Sequence, residues 1–258
     1  MDVTRVSVET ATRGPGGETN AYRLGTDEAL LVDPAARSDA LDAAVADATV
    51  AHVAVTHHHP DHVGAVDHYA SATDATVWAR VGRESDFGAA TGRRPDRTFR
   101  EGTTIPTGEG AVTVRDTPGH APEHVAFEFP GGAAVGDLAV AQGSLVVGAP
   151  EGDMRAYLTS LRRMHARNPA VLYPGHGPVI EDPRATLERL IDHRIDREDL
   201  VRAAVEAGAR DLEAILDAAY DKDLTGVRDL ARATVRCHLR KLHVEGDLVW
   251  DGERAVPR

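Results

Sequence analysis

The chain has little cysteine, almost no lysine and no long apolar run. Cys237 is its single cysteine, which excludes an internal disulfide and is typical of a reducing compartment. No apolar segment approaches the roughly 18 residues that a membrane-spanning helix requires. Residues 1–6 alternate like a first strand and lack the charged and then apolar pattern of a leader. We therefore expect a cytoplasmic protein that does not enter a membrane.

Charge is strongly unbalanced towards acid. The chain has 41 acidic and 29 basic residues, a net charge of −12, and its only lysines are Lys222 and Lys241. Acid excess, scarce lysine and abundant alanine resemble proteins adapted to high intracellular salt, such as those of halophilic archaea. The alternative is an arginine-rich coding bias with an acidic surface. In molar salt the Debye length is about 3 Å, so this charge would cause little repulsion.

The most informative segment is residues 56–62, Thr-His-His-His-Pro-Asp-His, which follows a β-branched, strand-like run. His57 and His59 are two residues apart, so they project to one side of an extended backbone. Asp61 and His62 follow Pro60, which favours a turn and then the first turn of a helix. Nitrogen and oxygen donors at this spacing suit two neighbouring zinc ions. The alternative, a histidine-rich surface loop, does not explain the strand or the ordered alternation.

Further candidate ligands follow three later strand-like segments. His120 comes after residues 111–115, Asp137 after 133–135 and His176 after 170–172, each beside a glycine or proline that lets the backbone turn. Each of these turns is weak evidence alone. Together with the first segment they bring histidines and aspartates to four strand ends, which predicts one shared site.

These residues resemble the complete ligand pattern of the metallo-β-lactamase fold in its glyoxalase-II-like form, over about residues 15–200. Five further segments resemble the lactamase-β-like protein 2 group: residues 136–138, 142–144, 150–158, 173–178 and 193–198. One departure is Ala121, where such proteins carry threonine or serine. The resemblance implies one zinc ion held by His57, His59 and His120, a second held by Asp61, His62 and His176, and Asp137 bridging both.

The same resemblance implies hydrolysis by a metal-bound hydroxide, because zinc lowers the pKa of bound water to near neutrality. Asp61 is then the catalytic residue, which ligates a metal and orients the nucleophile. Asp33, which ends an apolar run at residues 30–33, is expected to support the histidine loop. A strand-terminating turn aspartate is the alternative for this position.

The remaining histidines lack partners at metal spacing. His58 alternates away from its neighbours, and His124 lies four residues after His120. We expect His58 to face solvent or a core pocket, and we interpret His124 as structural, although it is also placed to line a cleft. The others are interpreted as structural or surface residues: His52, His68, His165, His193, His238 and His243.

Residues 1–182 are predicted to form the catalytic domain, with an α/β fold that the resemblance makes an αββα metallo-β-lactamase sandwich. Strands are predicted at residues 3–10, 19–25, 28–33, 51–56, 111–116, 124–129 and 133–137, and helices at 37–47, 60–70 and 152–167. Residues 82–108 show no clear periodicity and predict a long loop with a short helix.

Residues 183–258 are predicted to form a linking helix and a small winged-helix-like domain. Helical sequence extends to about residue 244, and a hairpin with an Asp251-Gly252 turn follows at 248–256. Four arginines at four-residue spacing precede Lys241 in the third helix and form a cationic stripe: Arg228, Arg232, Arg236 and Arg240. The stripe predicts either contact with phosphates or a solvated face paired with acids such as Asp229 and Glu245, and we favour the latter.

Two classes of activity fit this sequence. The first is dinuclear-zinc hydrolysis of a small ester or thioester, and the second is metal-dependent cleavage of single-stranded RNA. A nucleic-acid-binding regulator without activity is a third option, against which the intact ligand set argues. The basic cluster that binds glutathione in glyoxalases has no match here, and fold analogy does not define the substrate. The second domain is expected to bind nucleic acid, cover the site or form a homodimer contact.

Overall fold

The computed structural model describes residues 1–14 and 16–258, which form two compact units. The first unit comprises residues 1–117, 123–145 and 167–186, and the second comprises 118–122, 146–166 and 187–258. The second unit therefore takes in two segments that precede the predicted division at residue 182. Each unit has its own hydrophobic core.

A six-stranded sheet forms the first half of unit one, with its strands in chain order. They are β1 (Val3–Glu9), β2 (Glu18–Leu24), β3 (Ala29–Val32), β4 (Val50–Ala54), β5 (Thr76–Arg80) and β6 (Arg97–Phe99). The first three strands pair antiparallel, and β3 to β6 pair parallel. Because parallel strands need crossover connections, helices lie between them in the sequence.

Four helices make these crossovers: α1 (Asp39–Ala46), α2 (Pro60–Val63), α3 (Val66–Thr73) and α4 (Glu84–Thr91). The side chain of Ser38 caps α1 by accepting from the Leu41 backbone N–H at 3.2 Å. The predicted helix over residues 60–70 is divided into α2 and α3 at Gly64. A Cβ at Gly64 would lie 2.4 Å from the Ala35 carbonyl oxygen, so the chain passes too close to its neighbour for a larger residue.

A five-stranded sheet forms the second half of unit one, in the order β11-β10-β9-β8-β7. The strands are β7 (Thr104–Thr107), β8 (Gly110–Asp116), β9 (Val125–Phe129), β10 (Gly132–Gly136) and β11 (Leu172–Pro174). All pairs are antiparallel except β10 with β11. The candidate ligands of this unit follow the ends of strands β4, β10 and β11.

The inner faces of the two sheets share one apolar core. Tyr22, Leu30 and Val32 of the first sheet cluster with Ile105 and Phe127 of the second. The opposite face of the first sheet packs against helices through residues such as Leu41, Tyr69 and Phe87. This arrangement confirms the mixed α/β fold, because each sheet buries alternate side chains on its inner face.

The second unit is mainly helical. Its elements are α5 (Met154–Arg167), α6 (Pro183–Glu206), α7 (Leu212–Ala219), α8 (Arg228–Glu245), β12 (Leu248–Trp250) and β13 (Ala255–Pro257). The ends of α5 and α6 extend into unit one. Buried residues of α6 to β13 form one core that includes Ile215, Leu239 and Trp250. The predicted C-terminal helices and hairpin are confirmed.

Two sequence-based predictions are wrong in detail. The short helix predicted within residues 82–108 is present as α4, but the rest of this segment is not a loop, because it contains β6 and β7, and β5 before it was not predicted. These elements are too short to show a clear period, and β6 is defined by its parallel pairing with β5. The loop of the last hairpin has four residues, 251–254, since Trp250 pairs with Ala255. Asp251 Oδ1 accepts from the backbone N–H groups of Glu253 and Arg254 in this loop.

Among the described residues, no helix is both long and apolar enough to cross a bilayer.

The core between the sheets provides a test of the fold. Phe127 is fully buried and meets Phe99 edge to face with ring centroids 5.9 Å apart. Phe127→Ala should lower the free energy of unfolding by about 3–5 kcal/mol, since it removes a buried ring and leaves a cavity. Val81→Ala is the control, because Val81 is 50% exposed, and should change stability by less than about 0.5 kcal/mol. Equal denaturation midpoints for the two variants would contradict this account of the core.

Candidate metal centre

The histidine segment leaves the end of β4 and enters α2. Thr56 and His57 are buried, and His59 has extended backbone immediately before Pro60 begins the helix. Proline suits this first position because its missing N–H has no partner within the helix. The change from strand to helix turns Asp61 and His62 away from the line of His57 and His59, as the spacing predicts.

His57 and His59 face each other through different ring nitrogens. His57 Nε2 lies 3.0 Å from His59 Nδ1, while the other nitrogen of His57, Nδ1, lies 3.1 Å from Thr56 Oγ1. Thr56 therefore fixes the orientation of the His57 ring. The two facing nitrogens are close enough to share a proton or to ligate one cation.

A second group of donor atoms belongs to the side chains of Asp61, His62, Asp137 and His176. Asp137 Oδ1 lies 3.5 Å from His62 Nε2 and 3.4 Å from His176 Nε2, and Asp61 Oδ2 lies 3.6 Å from His176 Nε2. Ligands about 2.1 Å from a tetrahedral zinc ion lie about 3.4 Å apart. The spacing therefore fits donors arranged around a cation better than donors that hydrogen bond to each other.

The buried nitrogen of His62 supports the same interpretation. His62 is fully buried, and its Nε2 has no hydrogen-bond partner among the described residues. A buried polar atom without a partner costs free energy, so such atoms are rare in folded proteins. Two donor sets in this unit could each hold a metal ion: His57, His62 and Asp137, and Asp61, His62 and His176. The residues present thus fit a metal.

The rings of His62 and His176 are each held by a hydrogen-bond partner of the Nδ1 atom. His62 Nδ1 lies 3.0 Å from Asp33 Oδ2, and His176 Nδ1 lies 2.7 Å from the Glu18 carbonyl oxygen. Such partners select the tautomer that leaves Nε2 available to a metal. Both rings are therefore oriented towards the shared group of oxygens before any ion binds.

Asp33 connects the two strand ends beneath the site. Its Oδ1 accepts from the Thr56 backbone N–H at 2.6 Å, and its Oδ2 accepts from Thr56 Oγ1 at 2.8 Å as well as contacting His62. Asp33 is 2% exposed and has a φ of 49°, a conformation that aspartate and asparagine accept more readily than most residues. The prediction that Asp33 supports the histidine loop is confirmed.

The charge around His62 favours a cation. Burial by itself lowers the pKa of His62, but the nearby carboxylates of Asp33 and Asp137 outweigh it and hold this pKa well above its ordinary value. Carboxylates that stabilise a proton on His62 also stabilise a metal ion that replaces the proton.

Two glycines leave the space that the site occupies. A Cβ at Gly175 would lie 2.7 Å from Asp137 Oδ1 and 2.8 Å from His62 Cε1. A Cβ at Gly136 would lie 2.4 Å from Thr56 Oγ1, and Gly136 has a φ of 45°. The turns at the ends of β10 and β11 therefore need glycine for close approach, which explains why Asp137 and His176 follow glycines.

His124 holds the backbone of Asp137. Its Nε2 accepts from the Asp137 N–H at 3.0 Å, and its Nδ1 lies 2.8 Å from Thr117 Oγ1. With both nitrogens engaged and no exposure, His124 is a structural histidine, as predicted. Its contact with Asp137 was not predicted, because His124 immediately precedes β9 and Asp137 immediately follows β10, and the two residues meet only when these strands pair.

Glu123 is a residue near the site that the sequence did not single out. Its Oε1 accepts from the His58 backbone N–H at 3.1 Å, and Glu123 is buried. The ring of His58 packs edge to face on Phe87 with centroids 5.6 Å apart. His58 is therefore structural, and Glu123 helps to hold the backbone between His57 and His59.

His120, the remaining predicted ligand, belongs to the second unit. It is half-buried, and its Nδ1 lies 2.7 Å from the Val146 carbonyl oxygen. As with His176, a backbone carbonyl selects the tautomer that leaves Nε2 available.

Other histidines form ordinary structural contacts. His52 Nδ1 accepts from Trp78 Nε1, His165 lies 2.9 Å from Glu188, and His243 Nδ1 accepts from the Trp250 backbone N–H. His238 Nδ1 lies 3.3 Å from Glu198. These contacts confirm the structural interpretation of these four residues.

A family model described as Metallo-beta-lactamase superfamily matches residues 14–176. The chain belongs to the metallo-β-lactamase superfamily. This match confirms the resemblance seen in the sequence and makes the chain a member of a hydrolase superfamily whose fold generally binds metal ions. The candidate ligands in unit one all lie within the matched residues.

Curated relatives include two β-lactamase-like protein 2 homologs. The one from Drosophila melanogaster is 31% identical, covering 78% of this chain and 71% of the relative. The one from Caenorhabditis elegans is 27% identical, covering 88% and 79%. A protein of Aspergillus fumigatus named atrochrysone carboxyl ACP thioesterase is 30% identical, covering 78% and 64%.

Solved structures share the fold. A metallo-β-lactamase family protein from Thermus thermophilus has a TM-score of 0.79 at 23% identity and covers 99% of this chain and 98% of its own. A protein described in a di-iron-bound form has a TM-score of 0.54 at 28% identity and covers 74% and 97%. The first of these is similar in fold over nearly the whole length of this chain.

The role of Asp33 provides a test of the site. Asp33→Asn should weaken zinc binding by about 10- to 100-fold, because an amide NH₂ would face donors at Thr56 or His62. The measurement is zinc affinity in competition with a chelator. Asp74→Asn is a matched control, since Asp74 also has positive φ, 53°, but is exposed. Equal zinc affinity in the two variants would show that Asp33 does not support the site.

Proposed function

We propose that this chain is a dinuclear-zinc hydrolase that cleaves a thioester or ester of a small molecule. The observation that carries the proposal is the convergence of Asp61, His62, Asp137 and His176 at separations of 3.4–3.6 Å. His57 and His59 present facing nitrogens beside this group. The family match supports a hydrolase.

The proposed ligands divide into two sets. One ion would be held by His57, His59 and His120, and the other by Asp61, His62 and His176. Asp137 would bridge the two ions. This fits the structure, because Asp137 belongs to a donor set with His57 and also lies close to His176. The assignment of His120 rests on the family resemblance and on the tautomer that Val146 selects.

Zinc is the proposed metal because imidazole nitrogen and carboxylate oxygen are among its preferred ligands. The same donors suit iron, and one solved relative of similar fold is described in a di-iron-bound form. Zinc and iron give different elemental analyses, so the purified protein distinguishes them.

Bound ions at this site would lower the pKa of a coordinated water and polarise the carbonyl that it attacks. The side chain of Asp61 is 20% exposed, whereas those of Asp137 and His176 are 7% and 1% exposed. Asp61 therefore lies on the open side of the group, where it can orient a water and accept its proton. We assign Asp61 as the catalytic residue for this reason.

The names of two relatives support the proposed acyl substrate class. The Aspergillus fumigatus relative is named as a thioesterase, and a relative from Emericella nidulans, 31% identical, also carries that name. Thioesters and esters share an electrophilic carbonyl, so a site that cleaves one of them has the chemistry for the other. We propose a thioester as the preferred substrate.

Cleavage of single-stranded RNA remains an alternative that contacts of the arginine stripe do not favour. Arg228 pairs with Glu213 and Asp217 on α7, and Arg232 also pairs with Glu213. Half of the stripe is therefore neutralised by neighbouring acids, as in a solvated helix face. Arg236 and Arg240 remain exposed on α8.

Residues 1–182 would act as the catalytic domain, and the helices and hairpin of residues 183–258 would form a winged-helix-like domain. The single cysteine, Cys237, is buried and is the basis on which we propose a reducing, cytoplasmic location.

Metal content tests the ligand assignment. The purified chain should contain close to two zinc ions, and Asp137→Ala should lose metal from both sites, since a bridging carboxylate serves both. Asp116→Ala is a control, because Asp116 pairs with Arg80 outside the donor sets. Unchanged metal and activity in Asp137→Ala would refute the bridge.

Turnover tests the catalytic role and the substrate. An acyl-thioester, a chromogenic ester and labelled single-stranded RNA should be compared with the same zinc-loaded protein, and the thioester should be cleaved fastest. Asp61→Asn should keep most of its zinc yet lose at least about 100-fold in kcat, as expected for loss of a general base. Preferential RNA cleavage would favour the alternative, and full activity of Asp61→Asn would remove Asp61 from the mechanism.

A further inference from the structure

The loop that carries His120 is held by the start of α5 within the second unit. The Asp153 backbone N–H donates to the Gly119 carbonyl oxygen at 2.8 Å, and Ser160 Oγ donates to the Pro118 carbonyl oxygen at 2.7 Å. A Cβ at Gly119 would lie 2.3–2.5 Å from Tyr157. The backbone on the N-terminal side of His120 therefore lies directly against the helix.

The ring of His120 is held by the segment that precedes α5. Its Nδ1 lies 2.7 Å from the Val146 carbonyl oxygen, and residues 146–152 then fold back on themselves. The Gly152 N–H donates to the Gly148 carbonyl oxygen at 2.8 Å, and a Cβ at Gly152 would lie 2.5 Å from Gly148 N. We call residues 146–152 the bracket loop.

Helix α8 holds the bracket loop in turn. The Ala149 N–H donates to the Ala233 carbonyl oxygen at 3.2 Å, and Cys237 Sγ donates to the Gly152 carbonyl oxygen at 3.1 Å. A Cβ at Gly148 would lie 2.9 Å from the Ala233 Cβ. Ala233 and Cys237 lie four residues apart, so both project from one face of the helix.

We propose that α8 positions His120 through the bracket loop, with Ala233 and Cys237 as positioning residues. The C-terminal helix would then be part of the support of a metal ligand. Displacement of α8 would move the Val146 carbonyl oxygen away from His120 Nδ1. The His120 ring would then no longer be held in the tautomer that leaves Nε2 available to a metal. The proposal rests on the proposed role of His120 as a ligand.

The test uses a substitution that enlarges α8 where it meets the bracket loop. Ala233→Leu keeps good helix propensity but has no room beside Gly148, so it should displace the loop. Arg236→Leu is the matched control, because it adds the same side chain to an exposed position of the same helix. Thermal unfolding followed by circular dichroism should show that both variants fold.

Two measurements follow. In competition with a chelator, Ala233→Leu should weaken one of two zinc sites about tenfold or more, as loss of an outer hydrogen bond to a ligand does. The site of Asp61, His62 and His176 should keep its affinity. In ¹⁵N NMR of the metal-free protein, the His120 Nδ1–H signal, assigned by its loss in His120→Ala, should weaken or disappear in Ala233→Leu but not in Arg236→Leu.

Two substitutions of Cys237 provide a rescue experiment for the His120 signal. Cys237→Ala removes the donor to Gly152 and should shift the His120 signal, whereas Cys237→Ser keeps a donor and should restore it. The proposal would be overturned if folded Ala233→Leu gave the same His120 signal and the same two zinc affinities as the parent protein. If the parent binds zinc but cleaves no thioester, the proposed function fails, and the NMR comparison still decides the role of α8.

Discussion

The site depends on one buried carboxylate, that of Asp33. It joins the end of β3 to the histidine loop through Thr56 and to α2 through His62. Its backbone is held in the left-handed region, at a cost of about 1–3 kcal/mol for a non-glycine residue. Three donors that converge on one carboxylate can offset this cost, because hydrogen bonds to a buried charged group are stronger than those between neutral groups.

The donor group is costly to bury where its charges are not compensated. His62, Asp137 and His176 are all buried, and the atoms through which they face one another lie 3.4–3.5 Å apart, beyond ordinary hydrogen-bond distance. Burying such groups costs free energy that the surrounding sheets must supply. A bound cation would reverse this balance, since it attracts every donor at once. The fold therefore holds the donors through strand ends and close glycine turns, and a bound cation would compensate their charge.

The C-terminal helices have two different faces. One face of α8 pairs Arg228 and Arg232 with acids of α7, which makes this half of the cationic stripe a network of exposed ion pairs of small energetic value. Another face contacts the bracket loop through Ala233 and Cys237. The small residues in the sequence, Gly148, Gly152 and Ala233, are therefore more informative about this region than its charges.

The sequence by itself determined the candidate ligands, the strand ends from which they leave and the α/β class, because histidine, aspartate and glycine spacing reflects local backbone geometry. It also indicated the support from Asp33. Only the tertiary structure decided that His124 holds the Asp137 backbone, that Glu123 holds the loop at His58, and that Arg228 and Arg232 are paired. Residues 82–108 were missed for a related reason, since β6 exists through its pairing with β5. These features arise from contacts between residues distant in the chain, and neither period nor propensity encodes which distant partner a side chain meets.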